Sequence, residues 1–226
     1  MTDYTLAVDG STYAGSVALI RDHDVISERA LAISAIPSRG QRREDFMPML
    51  VDCLASAGVG VTEVSRIVCG SGPGSFTSLR VAASIAKGIA AGAGCPLFSV
   101  SSLLLIPAAA ELAAGRYVSA LPAMRGESFV LDVEVSSEGK VESRGDVRLV
   151  STASLQDIGA TSDGELIGPE VGRKLGPHAR GAAKMLDEIV ASGACDLQRW
   201  EPDYGRLAEA QVKWETAHER PLGVDG

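Results

Sequence analysis

The sequence predicts an α/β protein, and three observations carry that reading. Near the start, "YTLAVD" (4–9), "GSVALIR" (15–21) and "VISERALAI" (25–33) are short apolar runs separated by the turns "GST" (10–12) and "DHD" (22–24). That is the pattern of an antiparallel strand meander. Stretches with apolar residues at helical spacing then alternate with strand-like runs, giving the order β-β-β-α-β-α-β-α, as in a layered α/β domain. From residue 115 the pattern turns strand-rich.

The first helix is expected over about 45–57, after the polar stretch "SRGQRRED" (38–45). Phe46, Leu50, Cys53, Leu54 and Ala57 recur at helical spacing, with Met47 and Met49 beside them. Pro48 belongs in the first turn or kinks the helix. "RIVCG" (66–70) reads as a buried strand, 75–91 as a helix and "PLFSV" (96–100) as a strand. "SSLLLIPAAAELAA" (101–114) reads as a helix capped by Ser101 or Ser102, bent or irregular at Pro107. Strands follow at 117–123, 127–135 and 141–150, the last two joined by the turn "SSEGK" (136–140). A short helix at 154–158, a strand at 164–169 and a clear helix at 178–193 complete the pattern. The change of character places a boundary near 100–115. This gives one unit over 1–110 and a smaller one over 111–226, whose C-terminal segment packs back.

Composition narrows the function classes. The 226 residues are 46% hydrophobic but only 4% aromatic, so Ala, Val, Leu and Ile must fill the core. The net charge of −8 opposes tight nucleic-acid binding, which needs clustered Lys and Arg; the one basic cluster is Arg39, Arg42 and Arg43. Cys53, Cys69, Cys95 and Cys195 form no C-x-x-C pair and read as free thiols in a reducing cytosol. His23, His178 and His218 have no metal-ligand spacing. The start "MTDYTLAVDG" lacks a basic n-region and an apolar h-region. No apolar run reaches about 18 residues. A cytoplasmic chain with a frayed "PLGVDG" tail is expected.

The stretch "GSGPGSFTSLR" (70–80) demands an explanation. It has no lysine for a Walker A loop, no G-x-S-x-G for a nucleophile elbow, and Ser75 where a dinucleotide fingerprint needs its third glycine. Two uses remain. Gly72 and Gly74 allow a tight turn and close backbone approach, with Ser75 capping the next helix; alternatively, the N–H groups there hold an anion. Asp9, at the end of the first strand, is open to the same pair of readings, phosphate handling or plain turn. Glu127, after Arg125-Gly126, reads as a surface charge.

The helix after the loop carries a row of small residues, Ser78, Ala82, Ala86 and Ala90, beside a row of Val81, Ile85 and Ile89. Arg80, Ser84, Lys87 and Ala91 mark the wetter side. The apolar arc spans roughly 220°, and that of the 45–57 helix, from Met49 through Phe46 and Leu50 to Val51, about 200°. Such arcs exceed what one side of a sheet covers. The surplus is buried either between the two helices, where small residues permit close approach, or on a second protein.

Several stretches together resemble a known family. "LAVDGSTYAGSVALI" is similar to the first hairpin of the actin-like ATPase superfold. "GSGPGSFTSLRVAASIAKGIA" (70–90) resembles the TsaB signature G-x-G-P-G-S-F-T-G-[LV]-R followed by a small-residue helix with A-K-G. It matches at Gly72, Pro73, Gly74, Ser75, Phe76, Thr77, Arg80, Ala86, Lys87 and Gly88. "PLFSVSSLLLI" (96–106) resembles the family's strand and V-S-S-L segment. "EPDYGRLAEAQVK" (201–213) resembles its P-x-Y-x-R-x-x-x-A-x-x-K pattern at Pro202, Tyr204, Arg206, Ala210 and Lys213. The chain departs from the family in three places. Gly10 replaces the Thr of D-T-S-T. Arg42, Arg43 and Glu44 stand where H-S-E is usual. Pro122, Ala123 and Met124 stand where D-A-R is usual.

The resemblance implies an actin-like ATPase (ribonuclease H-like) superfold, with two subdomains of mixed sheets flanked by helices. It implies a subunit without catalytic residues or metal, since the family and this chain lack the H-x-x-x-H motif of the related TsaD. It further implies pairing with a TsaD-like catalytic subunit through the first two helices, at Phe46, Met47, Leu50, Leu54, Ser78, Leu79, Ala82, Ala86 and Ala90. The complex, completed by a TsaE-like ATPase, transfers a threonylcarbamoyl group to adenosine 37 of tRNA. The chain is expected to have no cofactor of its own. An anion or nucleotide, ATP or ADP at the partner boundary, is expected near Asp9, Ser11, Gly74 and Ser75. Alone, the chain is expected to form a homodimer, with no tight tRNA binding and no membrane contact. The alternative is a small-molecule kinase or ATPase of the same fold, for which "SDGELIGPEVG" (162–172) is the candidate second phosphate loop. A peptidase lacks support from zinc histidines or an activated serine.

Overall fold

Leu6 and Val8 of the first strand point to one side of their sheet and Ala7 to the other, and this alternation organises the layers of the protein. The computed structural model describes residues 3–31, 46–161 and 163–205. Strands β1 (Tyr4–Asp9), β2 (Ser16–Arg21) and β3 (Asp24–Ala30) form the expected meander, pairing antiparallel with Leu6 opposite Leu19 and Val8 opposite Val17. Strands β4 (Val64–Gly70) and β5 (Leu97–Val100) add in parallel, giving a mixed sheet of order β3-β2-β1-β4-β5.

Helices α1 (Phe46–Ser56) and α2 (Phe76–Ala93) cover one face of this sheet. Pro48 sits in the first turn of α1, where a missing N–H costs nothing. Gly94 ends α2 in the left-handed conformation at φ 67°, the usual glycine stop.

The second sheet has the order β11-β10-β6-β7-β8, built from β6 (Gly115–Pro122), β7 (Glu127–Val135), β8 (Val141–Ser143), β10 (Glu165–Gly168) and β11 (Arg173–Lys174); β9 (Arg148–Ser151) also pairs with β7. The single strand expected at 141–150 is therefore two. Gly145, at φ 139°, breaks it, and its two ends pair separately along β7.

Helix α3 (Ser102–Ala109) and the segment 179–191 lie between the two sheets in one continuous core with Ala18, Ile20, Leu121, Phe129 and Ile167. On the far face of the second sheet, α4 (Leu155–Thr161) packs Leu155 against Val118, Ala120 and Val130. Helix α3 is shorter than expected, because Ala110 N–H turns back to the carbonyl of Pro107 at 3.2 Å.

The helix expected over 178–193 is a 3-10 stretch, Ala179–Met185, followed by α5 (Leu186–Ala191). Its small residues let the backbone press on α3: a side chain on Gly181 would lie 2.9 Å from the Ala109 nitrogen. Ala179 and Ala182 stack at the i, i+3 spacing of the tighter helix, both buried. The stretches 38–45 and 206–226, with Arg39, Arg42, Arg43, Glu44, Arg206, Ala210, Lys213 and His218, lie outside the described residues.

Candidate functional site

The glycine-rich loop meets the first turn at the ends of the parallel strands. Asp9 is 1% exposed. One of its carboxylate oxygens accepts from the Ser11 hydroxyl at 2.8 Å and the Ser11 N–H at 3.2 Å; the other accepts from the Ser102 hydroxyl at 2.6 Å. The Ser102 oxygen in turn accepts from Gly72 N–H at 3.1 Å. Burial pushes the Asp9 carboxyl above the usual carboxylate range, and these hydrogen bonds pull it partly back. One buried acid thus ties together β1, the loop and the start of α3.

The glycines here serve closeness. A side chain on Gly70 would lie 2.0 Å from an Asp9 oxygen, one on Gly74 2.1 Å from the Ser11 carbonyl, and one on Gly72 (φ 91°) 2.4 Å from the Asp203 carbonyl. The Gly72–Pro73 peptide is cis.

This arrangement accounts for the residues proposed to contact an anion. The Ser75 N–H donates to the Ser11 carbonyl at 2.7 Å, and the Ser11 N–H donates to Asp9. Ser75 is the residue before α2, yet its hydroxyl donates to the Ser78 hydroxyl at 3.2 Å and makes no capping bond to the backbone. Asp9, Ser11, Gly74 and Ser75 therefore come together, with the Asp9 carboxylate and the Ser11 and Ser75 N–H groups engaged by the chain itself. Gly10 and Ser78 also abut: a side chain on Gly10 would lie 2.5 Å from the Ser78 carbonyl. The TsaB pattern has Thr at the first of these positions and Gly at the second, so the smaller and larger residues have changed places across one contact.

The nine residues assigned to a partner interface do not share one face. Phe46, Leu50, Leu54, Leu79, Ala82, Ala86 and Ala90 are buried, with all but Leu79 in the core between α1, α2 and the sheet. The row of small residues lets α2 lie close on this chain's own strands, which corrects its placement on the outside. Ser78 is half-buried beside Gly10, and only Met47 is well exposed, at 45%.

The outward apolar surface comes instead from the neighbouring rows. Val51 on α1 is 53% exposed and Phe76 on α2 is 41% exposed, with Val81 and Ile85 half-buried. Ser56 bonds Ser27 of β3 at 2.7 Å, and Met47 and Val51 lie on the opposite flank of α1. Lys87 bonds the Trp200 carbonyl at 3.0 Å, and Val81 and Ile85 lie on the other flank of α2, half-buried against the core. An open groove of about 460 Å³ runs along α2 past Phe76, Thr77, Arg80, Val81, Ser84 and Ile85. Val51 and the Val81/Ile85 row were legible as part of the wide arcs. Missing was the phase that decides which edge of each arc meets the sheet.

The glycines of 162–172 pack on their own strands: side chains on Gly168 and Gly172 would lie 2.4 Å from the Ala120 carbonyl and 1.9 Å from the Leu166 carbonyl. Among the described residues no three His, Cys, Asp or Glu side chains group as metal ligands, and no helix is long and apolar enough to cross a membrane. Cys53, Cys69 and Cys95 are buried and Cys195 partly so, all as free thiols. Burial, with the nearby Asp9 charge, pushes the Cys69 thiol far above its ordinary range.

Two mixed sheets, with helices between and outside them, define an α/β protein of the actin-like, ribonuclease H-like superfold. The solved structure of YeaZ from Pseudomonas aeruginosa superposes with a TM-score of 0.71, covering 89% of this chain and 99% of that one at 24% identity. A family model described as TsaD, tRNA N6-adenosine threonylcarbamoyltransferase, matches residues 35–140. The tRNA threonylcarbamoyladenosine biosynthesis protein TsaB of Escherichia coli (strain K12) is 34% identical over 136 residues, 59% of this chain. That match spans about half of the relative's own length, 56%. The protein of the same name from Bacillus subtilis (strain 168) is 27% identical over 228 residues, 92% of this chain and 96% of the relative. The chain is thus similar to proteins named TsaB over about half of its length at 34% identity and over nearly all of it at 27%.

Proposed function

We propose that this chain is the non-catalytic subunit that binds and activates a TsaD-like transferase in threonylcarbamoylation of adenosine 37 of tRNA. The observation that carries this reading is the apolar surface that α1 and α2 leave uncovered, with Met47 and Val51 exposed and Val81 and Ile85 half-buried at the edge of the core, in a chain similar to proteins named for tRNA threonylcarbamoyladenosine biosynthesis. This surface lies on the two helices that the family resemblance assigns to pairing. The polar cluster around Asp9 fits a supporting role, because its hydrogen bonds close on one another. In this reading a TsaE-like ATPase joins through the complex, and ATP or ADP belongs to the partner boundary. The chain alone pairs with its own copy through the same surface.

The test is co-expression with the TsaD-like protein of the same source, followed by size-exclusion chromatography with light scattering. A one-to-one complex is expected, lost in Val51→Asp and Ile85→Asp while each variant stays folded. A folded wild-type chain that does not associate with the transferase would overturn the reading.

A further inference from the structure

We propose that the segment Trp200–Gly205 is a clasp that bridges the mouth between the two sheets, with Tyr204 as the positioning residue that sets how Phe76 and Arg80 stand on the outer face of α2. The chain's path from Cys195 to Gly205 is fixed at four places. Upstream of the segment, the Cys195 N–H donates to the Leu97 carbonyl of edge strand β5 at 2.7 Å. It then crosses α2, where Lys87 donates to the Trp200 carbonyl. It reaches the glycine-rich loop, where the Asp203 N–H donates to the Ser71 carbonyl at 2.7 Å. It ends in a turn in which the Gly205 N–H donates to the Asp203 carboxylate at 2.7 Å.

The end of this path is closed by contact. Gly205 has φ 64°, and a side chain there would lie 2.4 Å from the Phe129 ring of β7 and 3.0 Å from Pro73. Backbone alone fits between a residue of the second sheet and the loop attached to the first. The clasp therefore spans both sheets at the point where the strands of the first sheet deliver Asp9 and the loop.

Tyr204 connects this bridge to the outer face of α2. Its ring lies 4.5 Å from that of Phe76, tilted by 46°, and the Arg80 guanidinium stands 5.4 Å from the Phe76 ring centre. Burial and the Glu201 charge raise the Tyr204 phenol, and the Arg80 charge opposes them. Phe76 is 41% exposed and lies at the first position of the helix, with Tyr204 and Arg80 beside its ring. Glu201, Asp203 and Gly205 are exposed, so the clasp belongs to the class of elements that open before the core does. The clasp itself stands on these contacts; its importance for docking rests on the function proposed above.

Full-length Tyr204→Ala, Tyr204→Phe and Gly205→Val chains test this by amide hydrogen exchange, without a partner. Exchange over 71–80 is expected to rise by about tenfold in Tyr204→Ala, the upper range for one lost aromatic pair. It should rise at least as much in Gly205→Val and stay at the wild-type level in Tyr204→Phe, with β1 and β4 unchanged in all three. If Gly205→Val does not fold, Tyr204→Ala against Tyr204→Phe decides alone. Unchanged exchange over 71–80 in Tyr204→Ala overturns the clasp.

Affinity for the TsaD-like protein should fall in Tyr204→Ala and recover in Tyr204→Phe. Weaker affinity without altered exchange would make Tyr204 a direct contact and also overturn the clasp. Altered exchange in a chain that never binds the transferase would uphold the clasp and count against the proposed function.

Discussion

The glycine-rich loop and the helix it starts are adjacent in sequence and turn in opposite directions. Residues 70–75 look inward: their glycines make room for Asp9, Ser11 and Asp203, and the Ser71, Gly72 and Ser75 N–H groups find partners within the chain. Helix α2 looks inward along its small residues and outward along Phe76, Val81 and Ile85. The motif easiest to read in the sequence is thus the one that organises the fold. The apolar surface that the chain leaves uncovered sits on a less conspicuous row beside it. A glycine-rich loop invites a phosphate reading because its backbone is accessible, but accessibility to the chain's own atoms is an equally good reason for the glycines.

The comparison breaks most completely at Ala86, which is 0% exposed. Ala86→Arg places an unpaired charge beneath α2 and should cost on the order of 4–5 kcal/mol, as much as the whole stability of a marginal domain. The expected outcome is an unfolded or insoluble chain by circular dichroism, and a folded Ala86→Arg chain with a normal melting temperature would contradict the placement of that row. Gly74→Ala should follow at about 3 kcal/mol, because the new methyl meets the Ser11 backbone and neither segment has room to yield. Urea unfolding measures it.

Gly10→Thr probes the exchanged contact more finely. Alone it drives a side chain into the first turns of α2; combined with Ser78→Gly, which lets that turn shift, part of the loss should return. A double-mutant cycle should show a coupling of about 1 kcal/mol, and simple additivity would mean that the two positions do not compensate. On the outer side, Val51→Asp should change stability by only about 0.5 kcal/mol. The contrast between a lethal inner substitution and a silent outer one is what the two rows predict.

The smallest effects concern protons. The Asp9 carboxyl is raised by burial, so its contribution is fully present below the ordinary carboxylate value of about 3.9 and is lost as pH rises through the folded value. His178 has the opposite sense. Burial, its main influence, lowers it, with the Glu28 charge opposing and the Arg180 charge adding. Its ring nitrogen accepts from the Arg180 N–H at 3.1 Å at the start of the 3-10 stretch. That contribution is present above about 6.5 and fades as pH falls through the folded value. His178→Asn keeps an acceptor at that cap and should flatten the acid side of the stability profile. An unchanged profile would place the proton elsewhere.

Much of this protein could be read along the chain. The meander, the helix starts near Phe46 and Phe76, the strand before the loop and the β6–β7 pair follow from alternation, turns and helical spacing, because these signals are local. The small-residue row of α2 also announced close packing. Against what it packed could not be read: a helix wheel gives the width of an apolar arc but not the phase at which a sheet will meet it. Only the tertiary structure put Ala82 and Ala86 on β1 and β4 and left Val81 and Ile85 half-buried at the edge of that core. It likewise broke the 141–150 strand at Gly145, tightened 179–185 into a 3-10 turn against α3, and brought Ser102 to Asp9 and Tyr204 to Phe76. Each of these depends on partners far apart in sequence, and their choice is made by packing between layers, which no short stretch encodes alone.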